Sequence, residues 1–255
     1  MNARIETAFN RRHTLALYLR EAKYEFLRVL RTPAFSVPTL VFAPMFYLLF
    51  GVLLNRGNAG AASYLMATYS VFGVIGPGLF GFGVGLAMDR ERGLLTLKRV
   101  QPVPALAPLL ARMGMAMLFA ACIGVILLAL GMTLGGVRMG PAQSALLLCV
   151  DILGVMPFCA LGLLIGTVSS GSGAPAVVNL IYMPMALLSG LWLPLKMLPA
   201  VIGQLAPLWP AWHLGQLALK LVDQDDGRPA WMHVAVLLGF TALCLWLAQR
   251  RLQRA

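Results

Sequence analysis

Long, continuous runs of apolar residues dominate the chain, and polar positions gather between these runs rather than alternating within them. A soluble helix or strand would keep one polar side, whereas these runs are about 20 residues long, enough for a helix to cross a hydrocarbon core of roughly 30 Å. The predicted spans are residues 36–54, 64–87, 113–134, 144–168, 174–194 and 230–249. Pairs at GxxxG spacing, such as Gly162 and Gly166, indicate close helix packing. The pattern predicts an all-α polytopic membrane protein, with six transmembrane helices formed by residues 36–255.

The first 35 residues precede this bundle and show helical periodicity instead of a continuous apolar run. Apolar residues recur along one stripe: Leu15, Leu19, Ala22, Phe26 and Leu30. Residues 1–35 are therefore predicted to form an amphipathic helix in the cytoplasmic headgroup layer. This helix either anchors the chain to the lipid surface or uses its remaining apolar residues to contact a cytoplasmic protein.

Between the fifth and sixth predicted spans lies a long segment, residues 195–229, that is unsuited to crossing the membrane. It is interrupted by Pro199, Pro207 and Pro210, each of which breaks a regular helix. We therefore expect short external half-helices before the sixth span. Aromatic residues are expected at headgroup level here, namely Trp192, Trp209, Trp212 and Trp231. The segment either forms an interfacial belt or caps the outer end of a substrate route.

Composition agrees with a membrane protein, and the distribution of charge predicts its orientation. The 255 residues are 60% hydrophobic and 11% charged, whereas soluble domains carry about 25% charged residues. Fifteen of the 20 Lys and Arg residues lie on the side that holds both termini and the loop 89–112. By the positive-inside rule both termini are cytoplasmic, and the chain is expected in a plasma (inner) membrane. A nucleic acid partner is excluded because such binding needs a soluble basic face.

Charge within the bundle is concentrated in the loop 89–112. Acidic and basic residues alternate at its start and are followed by Leu94, Leu95 and Leu97. A short amphipathic helix over residues 91–100 would present these leucines to a partner, and Pro102 would end it. This composition favours a docking surface, since a simple tether needs only a few polar residues.

One carboxylate, Asp151, lies inside a predicted span, about seven residues or roughly 10 Å from its outer edge. Acidic residues within a membrane are costly and often functional, so Asp151 is a candidate for a polar translocation path. Two alternatives remain. The span begins later and the carboxylate is hydrated at the interface, or Asp151 pairs with Arg138.

No catalytic or metal-binding motif accompanies these features. The chain lacks HExxH, GxSxG, paired CxxC and GxxxxGK[ST] patterns, and its three histidines are scattered. The four cysteines fall inside predicted spans and are expected to pack as small apolar residues. Asp89 and Glu91 form an acidic pair that an intramembrane transferase could use. A membrane-embedded enzyme and a non-catalytic assembly or channel protein are therefore the alternatives to a transporter.

Two stretches resemble type-2 ATP-binding-cassette (ABC) exporter permeases, most closely those of drug, antibiotic and lipid exporters. The first is MDRERGLLTLKRVQPVPA, residues 88–105, which is similar to the charged loop after the second span of that family. The second is SGLWLPLKMLPAVIGQLAPLWPAWHL, residues 189–214, which is similar to the end of its fifth span, with spaced prolines and short external helices.

The resemblance implies a permease that works as a dimer of like or unlike chains with two copies of a separate ABC ATPase subunit. It implies that this chain is not itself an enzyme and binds no cofactor, with ATP and Mg²⁺ held by the partner subunit. It makes residues 89–100 the coupling helix. The positions it marks for coupling are Asp89, Glu91, Arg92, Gly93, Leu94, Leu95 and Pro102, and those it marks in the half-helix segment are Gly190, Pro194, Pro199 and Pro207. The implied substrate is a small amphipathic molecule such as a drug, an antibiotic or a lipid.

Overall fold

The computed structural model describes residues 11–94 and 107–254, with side chains described for residues 20–94 and 108–251. Within these ranges every regular element is helical and there is no strand. The α-helices are α1 Arg11–Leu30, α2 Pro33–Phe46, α3 Ala59–Leu79, α4 Gly85–Glu91, α5 Ala107–Thr133, α6 Pro141–Gly154, α7 Met156–Val168, α8 Ala174–Leu188, α9 Ala200–Leu205, α10 Pro210–Lys220 and α11 Ala230–Arg254.

The first two long stretches each contain a π-helical turn. Helix α2 continues as a π-helix over Tyr47–Leu53, and α3 is joined to α4 by a π-helix over Phe80–Val84. An interior proline, Pro44 or Pro77, precedes each π-helix, and its missing N–H interrupts the regular hydrogen-bond ladder. The stretch from α3 to α4 remains one continuous helical rod of 33 residues.

Five helical stretches are long and apolar enough to cross a membrane, which confirms a multi-pass architecture. They are Pro33–Leu53, Ala59–Glu91, Pro108–Thr133, Pro141–Val168 and Ala230–Arg251, and they coincide with five of the six predicted spans. The fourth stretch is divided at Val155, where α6 ends and Pro157 lies in the first turn of α7.

Helix α8, at the position of the predicted span 174–194, has only 15 residues. Its two ends nevertheless reach opposite ends of the bundle. Ser169, just before α8, accepts a hydrogen bond from Arg90 at the end of α4, whereas Gly190, just after it, accepts one from Tyr64 near the start of α3. We call the former the loop end of the bundle and the latter the half-helix end.

The rod α3–α4 forms the centre of the bundle, and α7 lies directly against its backbone. A Cβ at Gly162 would lie 2.8 Å from the carbonyl oxygen of Gly78, and one at Gly166 would lie 3.0 Å from that of Gly83. Glycine at these two positions therefore permits backbone-to-backbone contact, as the GxxxG spacing predicts.

Helix α1 packs on the bundle at the loop end. The ring of Phe26 lies 5.2 Å from the ring of Phe119 in α5, and a Cβ at Gly114 would lie 3.2 Å from Ala22. Ala22 and Phe26 belong to the apolar stripe of α1, so part of that stripe contacts protein. The predicted cytoplasmic headgroup location of α1 remains a prediction.

The segment between α8 and α11 forms the short helices expected for it: a 3₁₀ turn over Leu195–Met197, α9, a second 3₁₀ turn over Ala206–Leu208, and α10. Helix α10 is largely buried, because it packs against α3 and α11. Trp212 is only 4% exposed, so its side chain packs inside the protein, and its predicted position at headgroup level remains a prediction. Trp231, which is 72% exposed, does lie on the surface.

Candidate coupling site and translocation surfaces

A buried charge cluster lies at the loop end and joins three helices. Arg112 of α5 donates a hydrogen bond to the carboxylate of Asp89 in α4, and its Nε lies 3.6 Å from Oε1 of Glu25 in α1. Arg112 and Asp89 are 3% and 6% exposed. Because removing one partner of a buried ion pair costs about 3–5 kcal/mol, this cluster fixes the base of the loop 89–112 to the bundle.

The end of α4 is also fixed to the end of α7. The guanidinium of Arg90 donates to the backbone oxygens of Thr167 and Ser169, the second at 2.8 Å. A cation at the carboxyl end of a helix is favoured by the partial negative charge of the last carbonyls. A Cβ at Gly171 would overlap the carboxylate of Glu91, so Glu91 lies directly against the turn between α7 and α8.

The remaining predicted coupling residues lie where α4 ends. Gly93 has φ of +70° and ends the helix, and Leu94 resumes helical backbone with a half-buried side chain, while Arg92 is exposed. Leu95 and Pro102 lie outside the described residues. The described part of the loop thus leaves the bundle through a turn that favours glycine.

Asp151 is completely buried in α6, where one carboxylate oxygen lies 3.0 Å from the hydroxyl of Ser70 in α3. The hydroxyl of Ser70 is also 2.9 Å from the carbonyl oxygen of Ala67. Since a serine has only one proton to donate, donation to Ala67 requires a protonated Asp151 that donates to Ser70. Arg138 is exposed, and in the part of the chain that the structure describes no ion pair joins it to Asp151, whose hydrogen bond with Ser70 instead connects α6 to α3.

At the half-helix end, tyrosines of α3 hold the turn that follows α8. Tyr64 donates to the carbonyl of Gly190 and Tyr69 to that of Trp192, both at 3.2 Å. Gly190 has φ of +73°, and a Cβ there would lie 2.6 Å from Leu195. Pro194 caps the first 3₁₀ turn and Pro199 caps α9, whereas Pro207 lies within the second 3₁₀ turn.

A cavity of about 990 Å³ opens at this end between the half-helices and the turn that connects the first two long stretches. We call it the half-helix cavity. Pro194 and Pro207 line it; Gly190 and Pro199 do not. Its wall combines aromatic side chains with amides and charges, and includes Phe50, Tyr64, Trp192, Trp212, Gln216, Asp226 and Arg228. A site of this size and mixed character suits a drug-sized amphipathic molecule.

A second cavity of about 210 Å³, here called the lateral cavity, lies midway along the bundle between α2, α3 and α8. Its wall is mostly apolar and aromatic, with Phe42, Phe72 and Tyr182 among the lining residues. Asn179 of α8 also lines it and is exposed. An amide facing hydrocarbon without a partner costs free energy, so this face is better suited to protein or a polar path than to lipid.

No group of three or more His, Cys, Asp or Glu side chains is arranged to hold a metal ion in the part of the chain that the structure describes. The acidic pair Asp89 and Glu91 does not converge on a common space, because Asp89 faces Arg112 and Glu91 faces Gly171. These two carboxylates therefore do not form a paired acid–base site.

Three residues that sequence analysis did not single out prove central: Glu25, Arg112 and Asn179. Glu25 lies among several charged residues of α1, whereas Arg112 is a lone charge in the apolar start of α5, and the sequence shows these charges but not their pairing. Asn179 is the one amide in the apolar stretch Ala174–Leu188, and its position on an apolar helix was a usable signal.

Comparison with known proteins extends these observations. Residues 18–220 match the family described as ABC-2 type transporter, a region that runs from α1 to the end of α10. A curated protein of Bacillus subtilis (strain 168), named "Putative transport permease YvfS", is 30% identical over 238 residues, which cover 91% of this chain and 96% of that protein.

Proposed function

Since this chain belongs to the ABC-2 type transporter family, in which it is a membrane-spanning transport component and not a catalytic enzyme, we propose that it is the permease of an exporter driven by a separate ABC ATPase. In this proposal two permease chains form the substrate path. ATP and Mg²⁺ are bound by the ATPase subunits and not by this chain.

The observation that carries the proposal is the buried cluster of Glu25, Arg112 and Asp89. Surface ion pairs contribute only about 0–1 kcal/mol, whereas Arg112 and Asp89 are buried, Glu25 is half-buried, and the cluster joins α1, α4 and α5 at the base of the loop 89–112. A partner that moves the loop would therefore move three helices together. Such rigid coupling suits the rocking of subunits that accompanies ATP-driven closure.

The lateral cavity supports a dimer in which α2 and α8 face the second chain. Large apolar side chains on this face are exposed, including Leu180 at 75% and Val41 at 50%. Asn179 lies among them, so a second permease chain would remove its amide from hydrocarbon. Two lateral cavities placed face to face would form a mostly apolar path with a few polar groups, which fits a small amphipathic substrate such as a drug, an antibiotic or a lipid.

The orientation follows from the distribution of charge. With α8 counted as a sixth span, both termini and the loop 89–112 share the side that is rich in Lys and Arg, and this side is cytoplasmic. The half-helix cavity is then external and forms the outer end of the route. The membrane is the plasma (inner) membrane.

Asp151 remains a candidate for the polar path, although it lines neither described cavity. Its hydrogen bond with Ser70 supports a second role, a neutral tie between α6 and α3. A polar-path role predicts that Asp151→Asn lowers transport. The tie between helices predicts that Asp151→Asn leaves transport unchanged, because the asparagine amide retains the hydrogen bond with Ser70.

Leu94→Asp tests the proposed function. A charge at this half-buried leucine would lie in the contact with the ATPase, where an unpaired buried charge costs several kcal/mol. We expect the variant to insert and fold normally but to lose the ABC ATPase that co-purifies with the wild-type chain. The measurement is affinity purification from membranes after co-expression with a candidate ABC ATPase subunit.

Leu134→Asp is the matched control, since Leu134 is 57% exposed and follows α5 at the half-helix end. This variant should retain the ATPase. Retention of the ATPase by Leu94→Asp, at the level of Leu134→Asp, would show that the loop is only a tether.

A further inference from the structure

Two of the three histidines, distant in sequence, meet in the interior at the half-helix end. Nδ1 of His213 in α10 lies 3.0 Å from Nδ1 of His233 in the first turn of α11, and the two side chains belong to residues that are 3% and 1% exposed. Nε2 of His213 lies 2.9 Å from the carbonyl oxygen of Pro207. The indole of Trp212 contacts both imidazoles, with centroids 4.8 Å and 5.4 Å away.

When both imidazoles are neutral, these contacts determine which ring nitrogens carry the protons. The carbonyl of Pro207 can only accept, so Nε2 of His213 carries a proton and its Nδ1 is an acceptor. Nδ1 of His233 must then donate to it, which leaves Nε2 of His233 without a proton. That nitrogen is buried and has no hydrogen-bond partner. In this arrangement each ring carries one proton and the pair has no net charge.

The charges around the pair are already paired with one another. Asp226 Oδ1 lies 3.8 Å from Nε2 of His233, but Asp226 is bound to Arg228 at 3.0 Å. Lys220 is bound to Asp225, and its hydrogen bond holds the pKa of Asp225 below the usual range. Among the packed helices, α3 and α7 contain no Asp, Glu, Lys, Arg or His, and the single carboxylate of α6, Asp151, faces Ser70.

An added proton would thus place a positive charge in the interior without a free counter-charge. Burial, with a further contribution from Arg228, lowers the pKa of His213 below its ordinary 6.5, against the opposing effects of Pro207 and Asp226. A histidine with a lowered pKa in the folded state stabilises that state above about pH 6.5, and the stabilisation is lost as the pH falls.

We propose that His213 and His233 form an acid-released latch that, while neutral, holds the half-helix α10 to the first turn of α11. Proton uptake loosens this contact and frees the segment that carries Asp226 and Arg228, which line the half-helix cavity together with Trp212. The latch would make the shape of this cavity depend on the pH at the half-helix end. Two parts of this inference rest on the proposed function. They are that the half-helix end faces the external pH and that the cavity is the outer end of an export route.

The fluorescence of Trp212 tests the latch in the full-length chain reconstituted in nanodiscs. The contribution of Trp212 is the difference in tryptophan fluorescence between the wild type and Trp212→Phe. Trp212 is buried between the two imidazoles, so we expect acrylamide to quench it several-fold more efficiently at about pH 5 than at about pH 7.5. The emission should shift to longer wavelength as the indole becomes hydrated.

The double variant His213→Gln/His233→Asn cannot take up the proton, although its amide nitrogens replace the donors to Pro207 and to residue 213. It should lose the pH response, and His13→Asn, which changes the third histidine, should retain it. An unchanged quenching constant in the wild type, or an equal response in the double variant, would overturn the proposal.

Nitrogen NMR of the histidine-labelled wild type provides a test that needs no variant at the pair. At about pH 7.5 it should show one ring protonated only at Nδ1, the less common tautomer, and absence of this signal would refute the latch. Neither measurement requires an ATPase. Absence of an ABC ATPase from the purified wild-type chain would therefore overturn the proposed function alone, and failure of these measurements would overturn the latch alone.

Discussion

Gly93 and Gly57 adopt the same unusual backbone conformation at opposite ends of the molecule, with φ of +70° and +82°. A Cβ at either position would meet no atom within 4 Å. Alanine at each site should therefore cost only the strain of a left-handed residue, about 1–2 kcal/mol, which thermal unfolding in detergent would measure.

The two substitutions should differ in their effect on the partner. Gly93→Ala alters the exit of the chain from α4 into the loop 89–112 and should weaken ATPase binding, whereas Gly57→Ala lies at the half-helix end and should not. Equal loss of ATPase binding in the two variants would show that general instability, and not the loop, is responsible.

At the scale of single residues, the sequence predicted where charge lies but not what each charge contacts. Asp89 was predicted at the start of the charged loop, yet it lies buried near the end of α4, where its bond with Arg112 joins residues 23 positions apart. Similarly, Asp151 was placed within a span, but its partner Ser70 belongs to another helix. Composition and spacing report local surroundings, and these pairings depend on how helices pack.

The contact between α7 and the rod α3–α4 leads to a prediction about helix packing. In Gly162→Ala the added Cβ would lie 2.8 Å from the oxygen of Gly78 and 3.0 Å from that of Leu79. Because these are backbone atoms, the helices must separate, and overpacking of this kind costs about 1–3 kcal/mol. Thermal unfolding should show the loss.

Gly239→Ala is the control, since Gly239 lies in α11 with nothing within 4 Å of the added Cβ. Alanine favours a helix over glycine by up to about 1 kcal/mol, so this variant should be as stable as the wild type or more so. A Gly162→Ala variant that is equally stable would contradict the close contact.

The long helices could be predicted because each corresponds to a long apolar run in the sequence. Five such stretches lie where hydropathy placed them. The division of the fourth stretch at Val155, the two π-helices and the short α8 were not predicted. Each depends on a local irregularity in the hydrogen-bond ladder, to which an average over some 20 residues is insensitive.

For the whole molecule, the excess of Lys and Arg at the loop end makes the orientation testable. In a background without the four native cysteines, Asn58→Cys and Asp225→Cys should react with a membrane-impermeant thiol reagent in intact cells. Arg92→Cys should react only after the membrane is opened, because its side chain is exposed on the side that we propose to be cytoplasmic. Labelling of Arg92→Cys in intact cells would reverse the proposed orientation.

The π-helix at Phe80–Val84 places one surplus residue in the rod between Ala59 and Glu91. Deleting one residue there would restore a regular α-helix while leaving α3 in its packed position. Because the wide π-turn already absorbs this residue, the helix after the deletion would keep its orientation, and Asp89 would still face Arg112. A deletion in a regular part of the rod would instead turn the following helix by about 100° and carry Asp89 away from Arg112, so a deletion scan should find that the π-turn tolerates the loss of one residue better than its neighbours.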